Sequence, residues 1–462
     1  MNPAAWRPHT AGLAWAAAAV VALRGVSGSI NTLCSLAWLH AARADHRVVR
    51  AQPLIVLILP LLREQRILAG TVEYFTELAK QHGQSVVVLV TTEREHHQPD
   101  RARAEDPSLP STVELAGALA AQAPRDLVRH LHYPHSEGVM VDQVNFTARA
   151  QLTRLAEDSV DLRRVWVAVY NADSRPDPAT LDGIARLAEI LPPPGPRIVQ
   201  QSALFTTNLP AFPPGARGAV LAGAALLQSR WTLAREIPRL RRQARQARTP
   251  AVRWPVLAHC VGHGLFVRGD EFLICGGLPS ETMNEDLALG YLACASGTPI
   301  DPLPLLEHGE SPATLAGMVR QTRQWFWSYA EYPRFARLAA ARGLGEWRTR
   351  GWLVAQGLAR GGLWLGQSPA LAATLALPVL ARRRMLALGV VIGAWGVYFM
   401  LPVALLTRHE RREGRQVRFG TREALGGIAA ALLSSVGPWW CLANALHRWC
   451  TGATYSHDKT ER

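Results

Sequence analysis

Two kinds of apolar run occur along the chain. The short ones, Pro53–Leu62 (PLIVLILPLL), Ser85–Thr92 (SVVVLVTT) and Val165–Tyr170 (VWVAVY, β-branched at alternate positions), are continuously apolar or nearly so, as strands buried on both faces are. Arg63–Gln81, between the first two, has helical spacing and predicts a parallel strand–helix–strand unit. His130–Tyr133 predicts a third short strand, and Ile198–Gln201 with Leu204–Thr206 another. Gly138–Arg149, residues 217–247, Thr282–Ser296 and Thr314–Tyr329 read as helical, and residues 94–125 as a polar loop with a surface helix. Val256–Arg268 carries Gly262 and Gly264, and Cys275-Gly276-Gly277 follows.

The long runs predict membrane spans. Ala11–Leu39 exceeds the ~20 apolar residues that a crossing needs. Arg24 interrupts it; a charge at mid-membrane costs about 3 kcal/mol on insertion scales, so Arg24 must face a partner helix or a water-filled groove. A cleaved signal peptide is the rival, but only Arg7 precedes the run, which is long for such a segment. Met385–Leu406 and Ala424–Leu446 predict two more crossings, the latter with Trp439 and Trp440 as interfacial aromatics. Arg43, Arg47 and Arg50 place the following domain in the cytoplasm by the positive-inside rule, and so do the six arginines of residues 408–422. Both hold only if Trp352–Ala381 also crosses, although Arg360, Pro369 and Pro378 break it and Arg382–Arg384 then lie outside. The expected organisation is a transmembrane segment over residues 1–49, an α/β domain over 50–340 and a C-terminal transmembrane region over 341–462. The protein is then integral to the cell membrane, with its main domain cytoplasmic.

Net charge changes this picture little. It is +14, and 48 of the 50 basic residues are arginine, since lysine occurs only at Lys80 and Lys459. No basic run is interleaved with stacking aromatics, so the sequence predicts no nucleic-acid partner; an anionic membrane surface or a phosphorylated substrate fits the charge. The six cysteines form no CxxC pair or zinc-ligand spacing and read as reduced thiols. His259 and His263 lack the glutamate of HExxH and read as core histidines. Gly-x-Gly-x-x-Gly, Walker and Gly-x-Ser-x-Gly motifs are absent, which excludes the dehydrogenase, P-loop ATPase and α/β-hydrolase classes that carry them.

Candidate chemistry begins where Val165–Tyr170 stops at Asn171-Ala172-Asp173 and a Pro-rich turn follows. A buried strand that ends in a carboxylate delivers a hard oxygen ligand to a sheet edge, suited to Mg²⁺ or Mn²⁺; the same Asp can simply cap a turn. Downstream, Asn284-Glu285-Asp286 opens a helix, where it offers a general base or merely an N-cap with favourable dipole charges. Gln321-Thr322-Arg323-Gln324-Trp325 follows in an amphipathic helix that would also suit a membrane interface.

In this order, the stations resemble the motifs of membrane-bound family 2 glycosyltransferases, the group of cellulose, chitin and hyaluronan synthases, over about Pro53–Tyr329. That resemblance implies a GT-A fold: a Rossmann-like mixed sheet flanked by helices, here between N- and C-terminal transmembrane helices. It also implies inverting, metal-dependent transfer of a sugar from a nucleoside diphosphate sugar, a UDP-sugar above all, to a polysaccharide or lipid-linked acceptor. Asp173 matches the last position of the family's Asp-x-Asp and would hold Mg²⁺ or Mn²⁺, with Asn171 in place of the first carboxylate. Asp286 matches the catalytic base, and Glu285 its neighbour on the acceptor side; Asn284, in place of Thr or Ser, keeps a capping role. Gln321 and Trp325 match Gln-x-x-Arg-Trp, while Gln324 stands in the Arg position with Arg323 beside it. Glu64, Glu93, Asp142, Gln143 and Asn145 fall where the family contacts the donor. The departures leave two alternatives: single addition of a sugar to a lipid carrier, and a catalytically inactive membrane accessory subunit.

Overall fold

The computed structural model describes residues 7–43, 52–95, 108–124, 126–191, 195–249 and 254–451. Eight strands form one mixed sheet: β1 (Leu54–Pro60), β2 (Ser85–Thr92), β3 (Val128–Tyr133), β4 (Val165–Val169), β5 (Arg175–Pro176), β6 (Ile198–Leu204), β7 (Leu265–Arg268) and β8 (Ile300–His308). Their order is β3-β2-β1-β4-β7-β6-β8-β5. The first four lie parallel. β7 runs antiparallel to both β4 and β6, and β6 is parallel to β8. It follows that β1, β2, β3, β4, β6 and β8 all end at one edge of the sheet, and β7 starts there. Apolar side chains fill both faces, with Val56, Val88 and Val167 on one and Leu57, Leu89 and Phe266 on the other. That is why these strands carry no polar alternation.

The predicted strands at β1 to β4 are present. The strand expected from Ile198–Gln201 with Leu204–Thr206 is present as β6 (Ile198–Leu204), with Gln200, Gln201 and Ser202 buried within it. β8, which carries Pro302 and Pro304, was not predicted. Its outer side pairs only at Glu307 and His308, with β5, so the prolines remove no ladder bond there.

Three helical stretches, Thr10–Arg43, Arg384–Arg412 and Thr421–His447, are long and apolar enough to cross a membrane. Trp347–Leu365 and Gln367–Leu380 make a fourth only if the pair, bent by 43°, is taken as one span. The run Ala216–Ala247 packs among these helices. At Gly223, an added Cβ would stand 2.3 Å from Gly427 N, so the two backbones touch as small-residue interfaces allow. Replacement of Gly223 by Val forces the helices apart, at a cost of ~1–3 kcal/mol. The expected result is a lower thermal unfolding midpoint in detergent. Gly389→Ala, where a Cβ meets nothing within 4 Å, leaves the midpoint in place or raises it.

Candidate functional site

The shared edge gathers the candidate residues loop by loop. After β1, Arg63 adopts φ +58°, a disfavoured conformation for a bulky side chain, at the turn into Glu64. Glu64 N donates to Thr112 Oγ1 at 3.0 Å. After β2, Glu93 Oε2 lies 2.9 Å from His132 Nε2, and Thr91 Oγ1 bridges His130 and His132 at 2.8 and 3.0 Å. Beyond β3, a cleft is lined by residues 133–138 and Asp142. Asp142 Oδ2 accepts from Val139 N at 2.9 Å, and Gln143 is buried with its Oε1 unpartnered. Both ends of the Asn145 amide are engaged by Leu278, at 2.9 Å to its carbonyl and 2.8 Å from its N–H, so Asn145 holds the turn after Gly277.

At the end of β4, Asn171 N donates to Ser174 Oγ and Ser174 N to Asn171 O, both at 3.1 Å, closing a tight turn around Asp173. Pairing of β5 with β8 fixes that turn beside Gly309-Glu310. Asp173 is buried, and its Oδ2 accepts from Glu310 N at 3.1 Å. Burial raises the Glu310 carboxyl above its ordinary range; Arg175 opposes the rise and Glu64 adds to it. Glu64, Asp173 and Glu310 therefore make one acidic corner with Arg175 alongside. Sequence inspection missed Glu310, whose signal was an acid beside Gly309 after a Pro-rich stretch.

A divalent metal fits this corner. Mg²⁺ or Mn²⁺ uses one or two protein carboxylates and completes its shell with phosphate oxygens and water; Asp173 and Glu310 supply hard oxygens and no competing sulfur or imidazole. Among the described residues, the one closer-set group is His40, His409 and Glu413, with ligand atoms within 4.8 Å of one another. There Arg43 already binds Glu413, so the trio is a polar joint between helices.

The second centre is Glu285-Asp286. Both carboxylates pack beside Gly262, where an added Cβ would be 3.6 Å from Asp286 Oδ2 and 3.7 Å from Glu285 Oε1. Burial raises both pKa values. The Asp286 charge, and more weakly Asp142, push Glu285 further, while Asp286 is restrained by the N–H groups of Leu287 and Gly262 and by His263. His263 Nδ1 lies 3.1 Å from Oε2 of the buried Glu307. Burial alone would lower the His263 pKa, but Glu307, Glu236 and Asp286 raise it on balance. The Phe205 ring, 6.1 Å from the His263 ring, connects the two centres: a Cβ on Gly309 would lie 3.8 Å from Phe205 and 3.7 Å from Asp173 Oδ2. His259 is a core histidine, its Nε2 2.8 Å from Tyr332 OH.

Asn284 stands at the start of its helix, yet its side chain makes no cap hydrogen bond. Nδ2 donates instead to Gln324 O at 3.3 Å and to Ser328 Oγ, so Asn284 fastens the Glu285-Asp286 turn to the helix that carries Gln321 and Trp325. In that helix Gln321 is buried and Trp325 partly exposed. The Arg323 guanidinium lies 4.4 Å from the centroid of Trp440, which turns it toward the last apolar helix.

No protein-family model matches the chain, and no curated protein does. Solved structures similar to it include a mannosyltransferase from Pyrobaculum calidifontis in complex with GDP-Man and Mn²⁺. That match has 14% identity and a TM-score of 0.45, over 93% of this chain and 99% of the other. S. aureus TarS 1–349 is also similar, at 11% identity and a TM-score of 0.37, over 79% and 94% of the two chains. Its complex with UDP-GlcNAc matches at 12% identity and a TM-score of 0.32. These scores are too low to assign a family.

A pH test of the Glu285–Asp286 pair needs no substrate. A carboxyl whose folded pKa is raised stabilises the fold below its unfolded pKa and loses that contribution as pH rises through the folded value. Glu285→Gln removes the repulsion, so the expected unfolding midpoint rises above that of the parent at pH 8 and matches it at pH 4. An equal shift at both pH values would show that the pair does not carry the effect.

Proposed function

We propose that the protein is a membrane-bound glycosyltransferase that moves a sugar, with inversion, from a nucleoside diphosphate to a membrane-proximal acceptor. One observation supports this most: an acidic corner fit for a metal and diphosphate, and a buried carboxylate pair fit for a base, face the same sheet edge with only Phe205 and His263 between them. Asp173, with Glu310 beside it, would hold Mg²⁺ or Mn²⁺, which when bound neutralises the diphosphate. Glu64, Glu93, Asp142 and Gln143 border the donor side, with UDP the expected carrier and Asn171 on the turn. Asp286, its pKa raised toward neutrality, takes the proton of the acceptor hydroxyl as its oxygen attacks the anomeric carbon. Glu285 shares its pocket, and Gln321 and Trp325 close it from the neighbouring helix. The sheet lies on the cytoplasmic side in this proposal.

Single addition to a lipid-linked acceptor is favoured over chain elongation by one feature. The helix has Gln324 where processive enzymes have arginine, and Arg323 stacks on Trp440.

The test is a panel of nucleotide sugars with Mn²⁺ and membranes that contain the protein, read as nucleotide release and product length. Asp286→Asn should lower turnover by roughly 10²–10⁴-fold, the usual worth of a general base. Asp173→Asn should abolish the response to Mn²⁺ that EDTA and add-back reveal in the parent. Unchanged turnover in Asp286→Asn removes it as the base, and a single added sugar excludes polymerisation. No release with any donor leaves the accessory-subunit alternative standing.

A further inference from the structure

Arg24, the charge that interrupts the first apolar helix, is one of five arginines in a row on the membrane side of the fold. Arg230, Arg235 and Arg239 belong to the run Ala216–Ala247, and Arg360 to Trp347–Leu365. The first helix turns one face to that run, with Arg24, Gly28, Asn31 and Ser35 at the spacing of a single stripe. Asn31 Nδ2 donates to Ala234 O at 3.0 Å, Ser35 Oγ to Leu233 O at 2.8 Å, and Arg235 Nη2 to Arg24 O at 3.0 Å. An added Cβ at Gly28 would lie 3.4 Å from Arg230 Nη2. Arg230 is 7% exposed, its guanidinium lies 4.3 Å from the centroid of Tyr398, and its Nε has no hydrogen-bond partner. Arg360 donates to Leu257 O at 2.8 Å.

None of the five forms an ion pair among the described residues. They repel one another instead. Burial, then Arg24 and Arg230, bring Arg235 down to about 10; burial, then Arg360, bring Arg239 to about 9. Glu236 is the carboxylate at the end of the row, and burial pushes it up to about 7. Glu236 also feels His263 and Glu307, so this end of the row adjoins the Asp286 pocket. Arg230 is buried and the other four are half-buried; cations so placed without counter-charge are costly, and a phosphate would supply both the charge and the acceptors that guanidinium forks take.

We propose that the Arg24–Arg230–Arg235–Arg239–Arg360 row binds the phosphate group of a membrane-embedded lipid and holds it beside the Asp286 pocket. This names the acceptor class for the sugar transfer proposed above and rests on that function. A lipid is favoured over the donor's own diphosphate because the row begins within the apolar stretch Ala11–Leu39. The donor corner at Asp173 and Glu310 lies on the sheet edge.

The experiment uses the full chain in detergent, with a polyprenyl monophosphate, the uncharged polyprenol of the same length and inorganic phosphate as separate probes, read by thermal shift and titration. The expected result is stabilisation by the polyprenyl phosphate alone. Arg235→Gln, with Arg230→Gln as a second variant, should weaken its apparent Kd by about tenfold or more. The same variants without ligand should unfold at the parent's midpoint or above it, because repulsion is relieved. A lower midpoint together with unchanged lipid affinity would assign the arginines a structural role and overturn the proposal. So would equal stabilisation by polyprenol, or by inorganic phosphate alone. Lipid-phosphate binding without turnover of any nucleotide sugar sinks the function and leaves this site; turnover without such binding does the reverse.

Discussion

The contact between His263 and the buried Glu307 is the one on which the candidate site depends. Glu307 is one of the two β8 residues that pair with β5, so it helps fix the strand that carries Glu310 to Asp173. Its Oε2 also closes the space at Gly264, where φ is +60° and a Cβ would stand 2.8 Å from that oxygen. His263, held by Glu307, is one of the groups that restrain the Asp286 carboxylate. Each half of the candidate site is therefore built against the same contact, and loss of either partner leaves polar atoms of the other unsatisfied, a change worth about 1–3 kcal/mol.

Polar residues inside β6 do the complementary work. Gln200 accepts from Val261 N at 2.7 Å and donates to His263 O at 2.9 Å, so one side chain grips the loop that presents Gly262 to the carboxylate pair. Gln201 accepts from Tyr170 OH at 2.5 Å and donates to Thr180 Oγ1 at 2.8 Å, which ties the end of β4 to the next helix. These amides explain what the sequence concealed. β1, β2 and β4 were legible because both of their faces are apolar, and such runs have few other readings. β6 was legible only in outline, because a buried glutamine looks like an exposed one in sequence, and β8, which carries Pro302 and Pro304, was not predicted.

The site was legible to a similar depth. Asp173, Glu285 and Asp286 could be picked out, since a strand-end carboxylate and a helix-start acidic pair are local patterns. Glu310 and Glu307 could not, because their importance comes from a long-range pairing with β5 that no local window contains. Asn284 shows the opposite error: its position was read correctly and its partner wrongly, since the amide reaches across to Ser328 and leaves the backbone uncapped. Arg24 was flagged as a misplaced charge, but the arginines that make sense of it lie some two hundred residues further on.

The long apolar helices and the sheet are joined by charges and not by apolar contact alone. Arg43, at the end of the first helix, binds both Asp177, just past the Asp173 turn, and Glu413, just past the helix Leu401–Arg412. The buried Glu410 accepts from Thr206 at 2.9 Å and lies 3.3 Å from His308 and from Arg415. Thr206 follows β6 and His308 ends β8, so the loops that frame Asp173 are anchored to the helix Leu401–Arg412. A shift of that helix would therefore also move the loop that carries Glu310.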